Sequence, residues 1–232
     1  MAARETAYME VAGRTIAYKQ RSGRSPALVF LPGYASDMEG TKALATDAFA
    51  ARRSLAMLRF DYSGTGSSGG RFEDGTLAMW LEEALAAVDR LIEGPLILVG
   101  SSMGGWIALH LALLRPERVQ ALVEIAAAPD FTNWGFANAG AAEQQGLARG
   151  FWESGQRLLL LDEEIAVDCP VRLLHGERDE EVPLDIAFRT LRALRSADVQ
   201  LIVLKGGGHR LSQPHEIEAI LRTLAALVEP TA

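Results

Sequence analysis

A five-residue segment, GSSMG at residues 100–104, constrains the fold and the chemistry of this chain more than any other feature. It follows the apolar run at 96–99 and leads into a second apolar run at 106–109, so Gly-x-Ser-x-Gly falls at a predicted strand-to-helix junction. So sharp a turn needs small residues two positions to either side of the serine, because larger ones would clash with the packed strand and helix. Ser102 meets this condition, whereas bulkier residues flank Ser101. Ser102 is therefore the candidate nucleophile, and the alternative is a glycine-rich turn without chemistry.

The rest of the chain alternates short runs rich in Val, Ile and Leu with longer stretches of helical periodicity, and Gly or Pro marks most junctions. This pattern is typical of a mostly parallel central sheet with helices on both faces, so the predicted fold class is α/β. We predict strands at residues 15–19, 28–31, 55–60, 96–99, 121–125, 171–174 and 199–204, and helices near 41–53, 77–92, 103–114, 184–195 and 216–228.

One interval, residues 129–167, breaks this alternation, because it has no clear strand and carries aromatic residues among polar and small ones. We interpret it as a short inserted cap. No internal repeat or low-complexity linker marks a second domain, so residues 1–232 are predicted to form one domain. The aromatic residues of the cap are candidates for the wall of a substrate pocket: Trp134, Phe136, Phe151 and Trp152.

Two further loops follow predicted strands and supply partners for the serine. HGERD at 175–179 ends in Asp179, and KGGGH at 205–209 ends in His209. In an open parallel sheet, active groups collect beyond the carboxyl ends of the strands. A serine needs a base to take its proton, and an imidazole base needs a carboxylate to hold its tautomer. Ser102, Asp179 and His209 are therefore the candidate catalytic residues.

Each partner has competing interpretations. Asp179 could cap the following helix, and His209 could be a solvated loop residue. Asp179 is preferred because it directly follows a strand end, and the competing acids are Glu177, Glu180, Asp185 and Asp198. The remaining histidines are interpreted as structural or surface residues: His110, His175 and His215.

The loop LPGYASD at 31–37 directly follows another predicted strand. Attack by a serine puts negative charge on a carbonyl oxygen, and backbone N–H groups beside the nucleophile can stabilise that charge. We expect the N–H groups of Tyr34 and Met103 to form this oxyanion hole. The alternative for the loop is a plain Pro-Gly turn.

A second glycine pattern, GTGSSG at 64–69, fits the dinucleotide-binding motif Gly-x-Gly-x-x-Gly. The rest of that unit is missing, because no helix begins directly after it and the acids about twenty residues on, Glu82 and Glu83, fall within a predicted helix. We therefore do not expect a nucleotide cofactor.

Composition excludes several classes of protein. The chain has 23 basic and 30 acidic residues, a net charge of −7, which disfavours nucleic acid as a partner. Cys169 is the single cysteine, and no pair of histidines has a zinc-ligand spacing, so neither a disulfide nor a metal site is expected. No secretory signal or run of about 20 apolar residues is present, which predicts a cytoplasmic protein without a membrane span.

Longer segments around these motifs resemble the α/β-hydrolase superfamily, and more narrowly bacterial relatives of the mitochondrial mycophenolic acid acyl-glucuronide esterase, also described as a palmitoyl-protein thioesterase. The resemblance is carried by LPGYASDM at 31–38, RFDYSGTGSS at 59–68, GSSMGGW at 100–106, DCPVRLLHG at 168–176 and HRLS at 209–212. It implies hydrolysis of esters or thioesters of small acyl substrates through an acyl-enzyme, with Ser102, Asp179 and His209 as the triad and no cofactor. It also implies that the 64–69 segment belongs to a structural turn near the oxyanion loop.

Two departures limit what the resemblance implies. First, Gly208 stands where an acidic residue often precedes the histidine. Second, the cap has no match in the family, so the resemblance leaves the acyl-chain length and the leaving group open. An amino-terminal peptidase of the same fold is one alternative, for which the cap supplies acids at Glu143, Glu153, Asp162, Glu163 and Glu164. A non-catalytic ligand-binding protein of this fold is the other.

Overall fold

The computed structural model describes residues 5–228 and contains one eight-stranded sheet, with strand order β1-β2-β4-β3-β5-β6-β7-β8. From β4 to β8 all neighbouring strands run parallel, whereas β1–β2 and β2–β4 are antiparallel. The predicted α/β class with a mostly parallel sheet is confirmed. The strands are Ala7–Val11 (β1), Arg14–Arg21 (β2), Arg24–Leu31 (β3), Leu55–Phe60 (β4), Leu96–Ser101 (β5), Val119–Ile125 (β6), Val171–Gly176 (β7) and Val199–Leu204 (β8).

The first strand, β1, is absent from the sequence-based prediction. It lies at an edge of the sheet and most of its residues are exposed, so its sequence lacks the apolar run that marks a buried strand. It pairs with β2 across Ala12 and Gly13, whose φ angles are 46° and 79°. Two successive residues with left-handed backbone are typical of a tight hairpin turn. In the sequence, Gly13 was the available signal for this turn and therefore for β1.

The central strands β3, β5 and β6 are almost wholly buried because helices cover both faces of the sheet. The five predicted long helices are confirmed to within about two residues. The helices are Thr41–Arg52 (α1), Leu77–Leu91 (α2), Met103–Leu114 (α3), Phe131–Trp134 (α4), Ala139–Gln144 (α5), Arg149–Gly155 (α6), Leu184–Ala193 (α7) and Pro214–Val228 (α8). Most residues of α3 are buried, so the helix that follows the candidate nucleophile is enclosed by the core.

The cap, residues 129–167, lies between β6 and β7 and carries the three short helices α4, α5 and α6. Asp130, near the start of the cap, is linked to its later part, because its carboxylate accepts hydrogen bonds from the backbone N–H groups of Leu160 and Leu161 at 2.7–3.0 Å. Ring contacts attach the cap to the main body: Phe151 packs 5.3 Å from Trp80, measured between ring centroids.

Glu124, an ionisable residue on β6, is buried, with 1% of its surface exposed. Neither of its carboxyl oxygens has a hydrogen-bond partner within residues 5–228. Burial raises the pKa of Glu124 well above its usual value, because an unpaired carboxylate is costly away from water. The folded protein therefore holds this carboxyl neutral at pH values where the unfolded chain ionises it.

We predict that Glu124 makes the protein less stable as pH rises. A raised folded-state pKa means that unfolding releases a proton, so its stabilising contribution is lost as pH rises from the unfolded pKa of about 4.3 towards the folded one. Glu124→Gln removes this titration. The Tm of the variant minus the Tm of wild type should therefore increase as pH rises from about 4 to about 8. The exposed Glu163→Gln is the matched control and should follow wild type. Parallel Tm curves for wild type and Glu124→Gln would contradict the prediction.

No helix within residues 5–228 combines the length and the apolar character needed to cross a bilayer.

Candidate active site

Ser102 occupies a strained turn between β5 and α3. Its backbone has φ 54° and ψ −121°, a conformation that a non-glycine residue rarely adopts. Two hydrogen bonds hold it there: the N–H of Ser102 donates to the Ile125 carbonyl at 2.9 Å, and the Ser102 carbonyl accepts from the Ala128 N–H at 3.1 Å. The strain is a property of nucleophile elbows, in which the turn exposes the serine hydroxyl above the sheet.

The glycines of the GSSMG segment are required by close backbone approach. A Cβ at Gly100 would lie 2.6 Å from the Cα of Gly105, and one at Gly104 would lie 2.1 Å from the Leu31 carbonyl oxygen. Both distances are shorter than any real Cβ contact, so a side chain at either position would displace α3 from β3 and β5. Gly100 and Gly104 are therefore required by the packing of α3 against β3 and β5, as the sequence predicted.

The side chains of Ser102, His209 and Asp179 form a continuous hydrogen-bonded line at the carboxyl edge of the sheet. His209 Nε2 lies 3.0 Å from Ser102 Oγ, and His209 Nδ1 lies 2.9 Å from Asp179 Oδ2. Ser102 follows β5, Asp179 follows β7 and His209 follows β8, so parallel strands bring together residues that are far apart in sequence. In this arrangement the imidazole can accept the serine proton while the carboxylate orients the ring.

The Asp179 side chain is 0% exposed, and its Oδ1 accepts hydrogen bonds from the N–H groups of Glu181 at 3.0 Å and Val182 at 2.8 Å. Burial alone would raise the pKa of Asp179, but the hydrogen bonds from His209 and from the Val182 N–H outweigh it and hold the pKa below its usual value. The carboxylate is therefore ionised at neutral pH, as a partner for an imidazolium must be.

The acids that competed with Asp179 lie elsewhere. Glu177 accepts a hydrogen bond from the Gly206 N–H at 2.9 Å, and Asp198 pairs with Arg172 at 2.8 Å. Asp185 lies in the first turn of α7, and Glu180 is exposed. None of these four carboxylates is within ion-pair distance of His209 in the part of the chain that the structure describes.

The loop after β3 brings Tyr34 beside the nucleophile. A Cβ on Gly33 would lie 3.3 Å from the Ser102 Cβ, so the loop touches the elbow directly. Neither the Tyr34 nor the Met103 backbone N–H donates a hydrogen bond to another described residue, and both residues border the cavity above Ser102. These two donors are available for an oxyanion.

The GTGSSG segment at 64–69 supports this loop. Asp61 accepts hydrogen bonds from the Ser67 N–H at 2.8 Å and the Met38 N–H at 2.7 Å, and so links the glycine turn to the oxyanion loop. Gly66, with φ 47°, is required because a Cβ there would lie 2.1 Å from Asp61 Oδ2. The Asp61 carboxylate occupies this turn, so the 64–69 segment has a structural contact with the loop after β3.

A cavity of about 700 Å³ opens above Ser102 and His209. Trp134 and Phe136 border it, as expected from the sequence, together with Phe131. Phe151 and Trp152 do not line it, which corrects the expectation for these two aromatics. Phe151 is 1% exposed and packs against Tyr34 at 5.1 Å between ring centroids, so it serves the packing between cap and body. Trp152 is partly buried on the same short helix, against the hydrophobic core.

The sequence did not indicate the two basic residues of the cavity lining. Lys42, in the first turn of α1, and Arg210, directly after His209, both border the cavity. No local motif marks Lys42, and only the tertiary fold brings α1 against the β8–α8 loop. The position of Arg210 next to a candidate catalytic histidine was the one available signal.

The other polar residues singled out in the sequence have structural contacts. His110 Nε2 lies 2.9 Å from the Leu158 carbonyl oxygen, and burial lowers the pKa of His110. His175 Nε2 lies 2.9 Å from the Val182 carbonyl oxygen. Burial raises the pKa of the Cys169 thiol to about 11, so it is protonated at neutral pH. Across residues 5–228, no three His, Cys, Asp or Glu side chains form a group that could hold a metal ion.

Comparison with known proteins identifies the family. Residues 26–146 match the family model described as the alpha/beta hydrolase fold. The chain is 38% identical to the mitochondrial palmitoyl-protein thioesterase ABHD10 of Homo sapiens, over 92% of this chain and 76% of that protein.

Solved structures agree with this assignment. Mouse alpha/beta hydrolase domain-containing protein 10 superposes with a TM-score of 0.90 at 34% identity, covering 97% of this chain and 98% of that one. A putative hydrolase from Agrobacterium vitis S4 superposes with a TM-score of 0.92 at 36% identity, covering 98% and 100%. This chain therefore belongs to the α/β-hydrolase family and is a relative of the ABHD10 proteins.

Proposed function

We propose that this chain is a serine hydrolase that cleaves the carboxylic ester or thioester bond of small acyl substrates. Ser102 is the nucleophile, His209 the general base and acid, and Asp179 the carboxylate that orients His209. The observation that carries the proposal is the pair of distances along this line, 3.0 Å from Ser102 Oγ to His209 Nε2 and 2.9 Å from His209 Nδ1 to Asp179 Oδ2. The similarity to palmitoyl-protein thioesterases supports the reaction class.

In the proposed first half-reaction, His209 Nε2 takes the proton of Ser102 Oγ as that oxygen bonds to the acyl carbon. The tetrahedral intermediate then expels the leaving group. The bond from the acyl carbon to sulfur or oxygen breaks, and the proton on His209 passes to the departing atom. Asp179 stabilises the imidazolium between these two transfers.

In the second half-reaction, water replaces the leaving group. His209 removes one proton from the water as its oxygen attacks the acyl-enzyme, and returns that proton to Ser102 Oγ when the ester bond to the enzyme breaks. The products are the free acid and the thiol or alcohol. Residues of the chain or water move every proton in this sequence.

The oxyanion formed in both halves is proposed to accept hydrogen bonds from the Tyr34 and Met103 N–H groups. One such donor is worth about 3–4 kcal/mol of transition-state stabilisation in comparable sites. Met103 is also the first residue of α3, whose positive end faces the developing charge.

The aromatic part of the cavity is proposed to hold the acyl chain. Phe131, Trp134 and Phe136 border the cavity and present apolar surface, which favours a hydrocarbon chain over a charged one. This arrangement agrees with a relative named for the palmitoyl group, and it leaves chain length to experiment.

A substrate panel tests the reaction class. We expect kcat/KM on matched oxygen esters and thioesters, from acetyl to palmitoyl, to exceed that of a purified Ser102→Ala blank for at least one series. A preference for long-chain thioesters identifies a thioesterase, and a preference for oxygen esters identifies a carboxylesterase. Turnover equal to the blank on both series would contradict the proposal.

The amino-terminal peptidase alternative needs carboxylates that converge on the cavity to bind an ammonium group. The acids of the cap face other partners or solvent: Glu143 and Glu153 pair with Arg149, Asp162 with Arg189 and Glu164 with Arg195, while Glu163 is exposed. None of them lines the cavity. The contacts therefore favour the esterase and thioesterase proposal.

A further inference from the structure

The cavity above Ser102 has a basic part in addition to its aromatic part. Lys42 and Arg210 both border it, and the Nζ of Lys42 donates a hydrogen bond to the backbone carbonyl of Arg210. The two residues therefore lie together, although they come from α1 and from the loop after β8. Thr41 and Ser212 add hydroxyl groups to the same lining.

Within the described chain, neither Lys42 nor Arg210 has a carboxylate within 4.0 Å. Two acids also border the cavity. Asp37 Oδ1 accepts a hydrogen bond from the Glu39 N–H at 2.8 Å, and the carboxylate of Glu181, which is largely exposed, lies 3.8 Å from His209 Nε2. Other exposed arginines of the described chain, such as Arg157 and Arg178, also have no carboxylate within 4.0 Å, and Lys42 and Arg210 differ from them because both border the cavity above Ser102. Two adjacent cations without a carboxylate partner are the arrangement that a bound anion would complete.

The environment of Lys42 also favours a bound anion. Burial lowers the pKa of Lys42; the buried carboxylate of Glu216 acts against this effect, and the nearby positive charge of Arg210 adds to it. An anion placed between Lys42 and Arg210 would relieve both the burial and the like-charge repulsion. The N-terminus of α1 adds positive electrostatic potential beside Lys42, and no acidic residue in the first turn of the helix offsets it.

The basic part of the cavity is on the leaving-group side in the proposed mechanism, because it adjoins His209 in the cavity lining. In the proposed mechanism, His209 Nε2 donates its proton to the departing atom, so the leaving group must lie beside His209. Arg210 follows His209 directly in the chain, and Lys42 is bonded to Arg210. The aromatic part of the cavity is left for the acyl chain.

We propose that Lys42 and Arg210 form a subsite for an anionic group, a carboxylate or a phosphate, carried by the leaving group of the ester or thioester. The inference rests on the proposed function and narrows its substrate class. Because the net charge of −7 repels an anion from the average surface, a local pair of cations would offset that repulsion at the site.

Three matched esters test the subsite: para-octanoyloxybenzoate, para-octanoyloxyphenyl phosphate and the neutral methyl para-octanoyloxybenzoate. We compare wild type with Lys42→Met and with Arg210→Gln, each of which removes one charge and keeps much of the side chain. Lys205→Met is the matched control, because Lys205 is exposed and does not line the cavity. The variant-to-wild-type ratio for each ester cancels differences in leaving-group reactivity.

We expect Lys42→Met and Arg210→Gln each to lower kcat/KM for the anionic esters about tenfold or more, as for loss of a charge-assisted hydrogen bond. The neutral ester should change by less than about twofold, which also shows that the variants fold, and Lys205→Met should leave all three esters at wild-type rates. A larger loss on the carboxylate or on the phosphate ester identifies which anion the subsite takes.

Two results would overturn the inference. One is an equal loss on anionic and neutral esters. The other is a Lys205→Met variant that reproduces the loss, which would indicate a long-range charge effect. These outcomes are distinct from failure of the proposed function, in which wild type would turn over neither the oxygen esters nor the thioesters of the substrate panel faster than Ser102→Ala does.

Discussion

Replacing Ser102 with alanine should lower kcat/KM by a factor on the order of 10⁵ or more on every ester or thioester that the wild-type protein cleaves. The variant lacks the Ser102 hydroxyl, the proposed nucleophile, which lies 3.0 Å from His209 Nε2. What would remain is substrate binding and the two proposed oxyanion donors, which supply only a small part of the rate enhancement of such a site without its nucleophile. The assay is steady-state hydrolysis with the purified variant.

Ser101→Ala is the control for this experiment, because Ser101 is the other serine of the GSSMG segment and its side chain takes no part in the line to His209. We expect it to keep most of the wild-type activity. Circular dichroism and Tm should show that Ser102→Ala is folded, since a hydroxyl is removed without creating a cavity in the core. A Ser102→Ala protein that turns over substrate at the wild-type rate would place the nucleophile elsewhere.

His209→Ala should cause a loss of similar size, on the order of 10⁵-fold in kcat, because serine and histidine act as one unit in this chemistry. Without the imidazole, the Ser102 hydroxyl keeps its proton and the leaving group receives none. The measurement is kcat on the best substrate of the panel, with KM determined separately to separate catalysis from binding.

His215→Ala is the matched control, since His215 is exposed at the start of α8 and does not line the cavity above Ser102. It should retain wild-type kcat. The double variant Ser102→Ala/His209→Ala should be no less active than either single variant, as expected for two residues of one unit. Additive losses would indicate that the two side chains act independently.

The sheet could be predicted from sequence because its central strands are buried on both faces and therefore appear as continuous apolar runs. β5 and β7 are examples, each bounded by a turn residue. β1 could not be found in this way, since it is an exposed edge strand held by pairing with β2 rather than by burial.

In the candidate site, too, some residues could be predicted from the sequence and others could not. Ser102, Asp179 and His209 were identifiable because each follows a strand, and the sheet places the carboxyl ends of its parallel strands together. Lys42 was not identifiable, since its place in the cavity depends on how α1 packs against the loop after β8. Local sequence carries no record of that contact.

Residue type alone did not predict which aromatic residues of the cap border the cavity. Trp134 and Phe136 border the cavity, while Phe151, on a neighbouring helix of the same cap, is turned into the protein. All of these residues are large and apolar, and the cap helices are too short for periodicity to separate an inner from an outer face. Packing against Tyr34 and Trp80 decides the orientation of Phe151.

The most direct test of the central claim is labelling with a fluorophosphonate, followed by mass spectrometry of the digested protein. Such a reagent reacts only with a serine that a neighbouring base has activated. We predict one adduct, on the peptide that carries Ser102, formed by the native protein and lost in His209→Ala and after denaturation. Absence of an adduct at Ser102 in the native protein would contradict the account and would favour a non-catalytic ligand-binding role for the cavity.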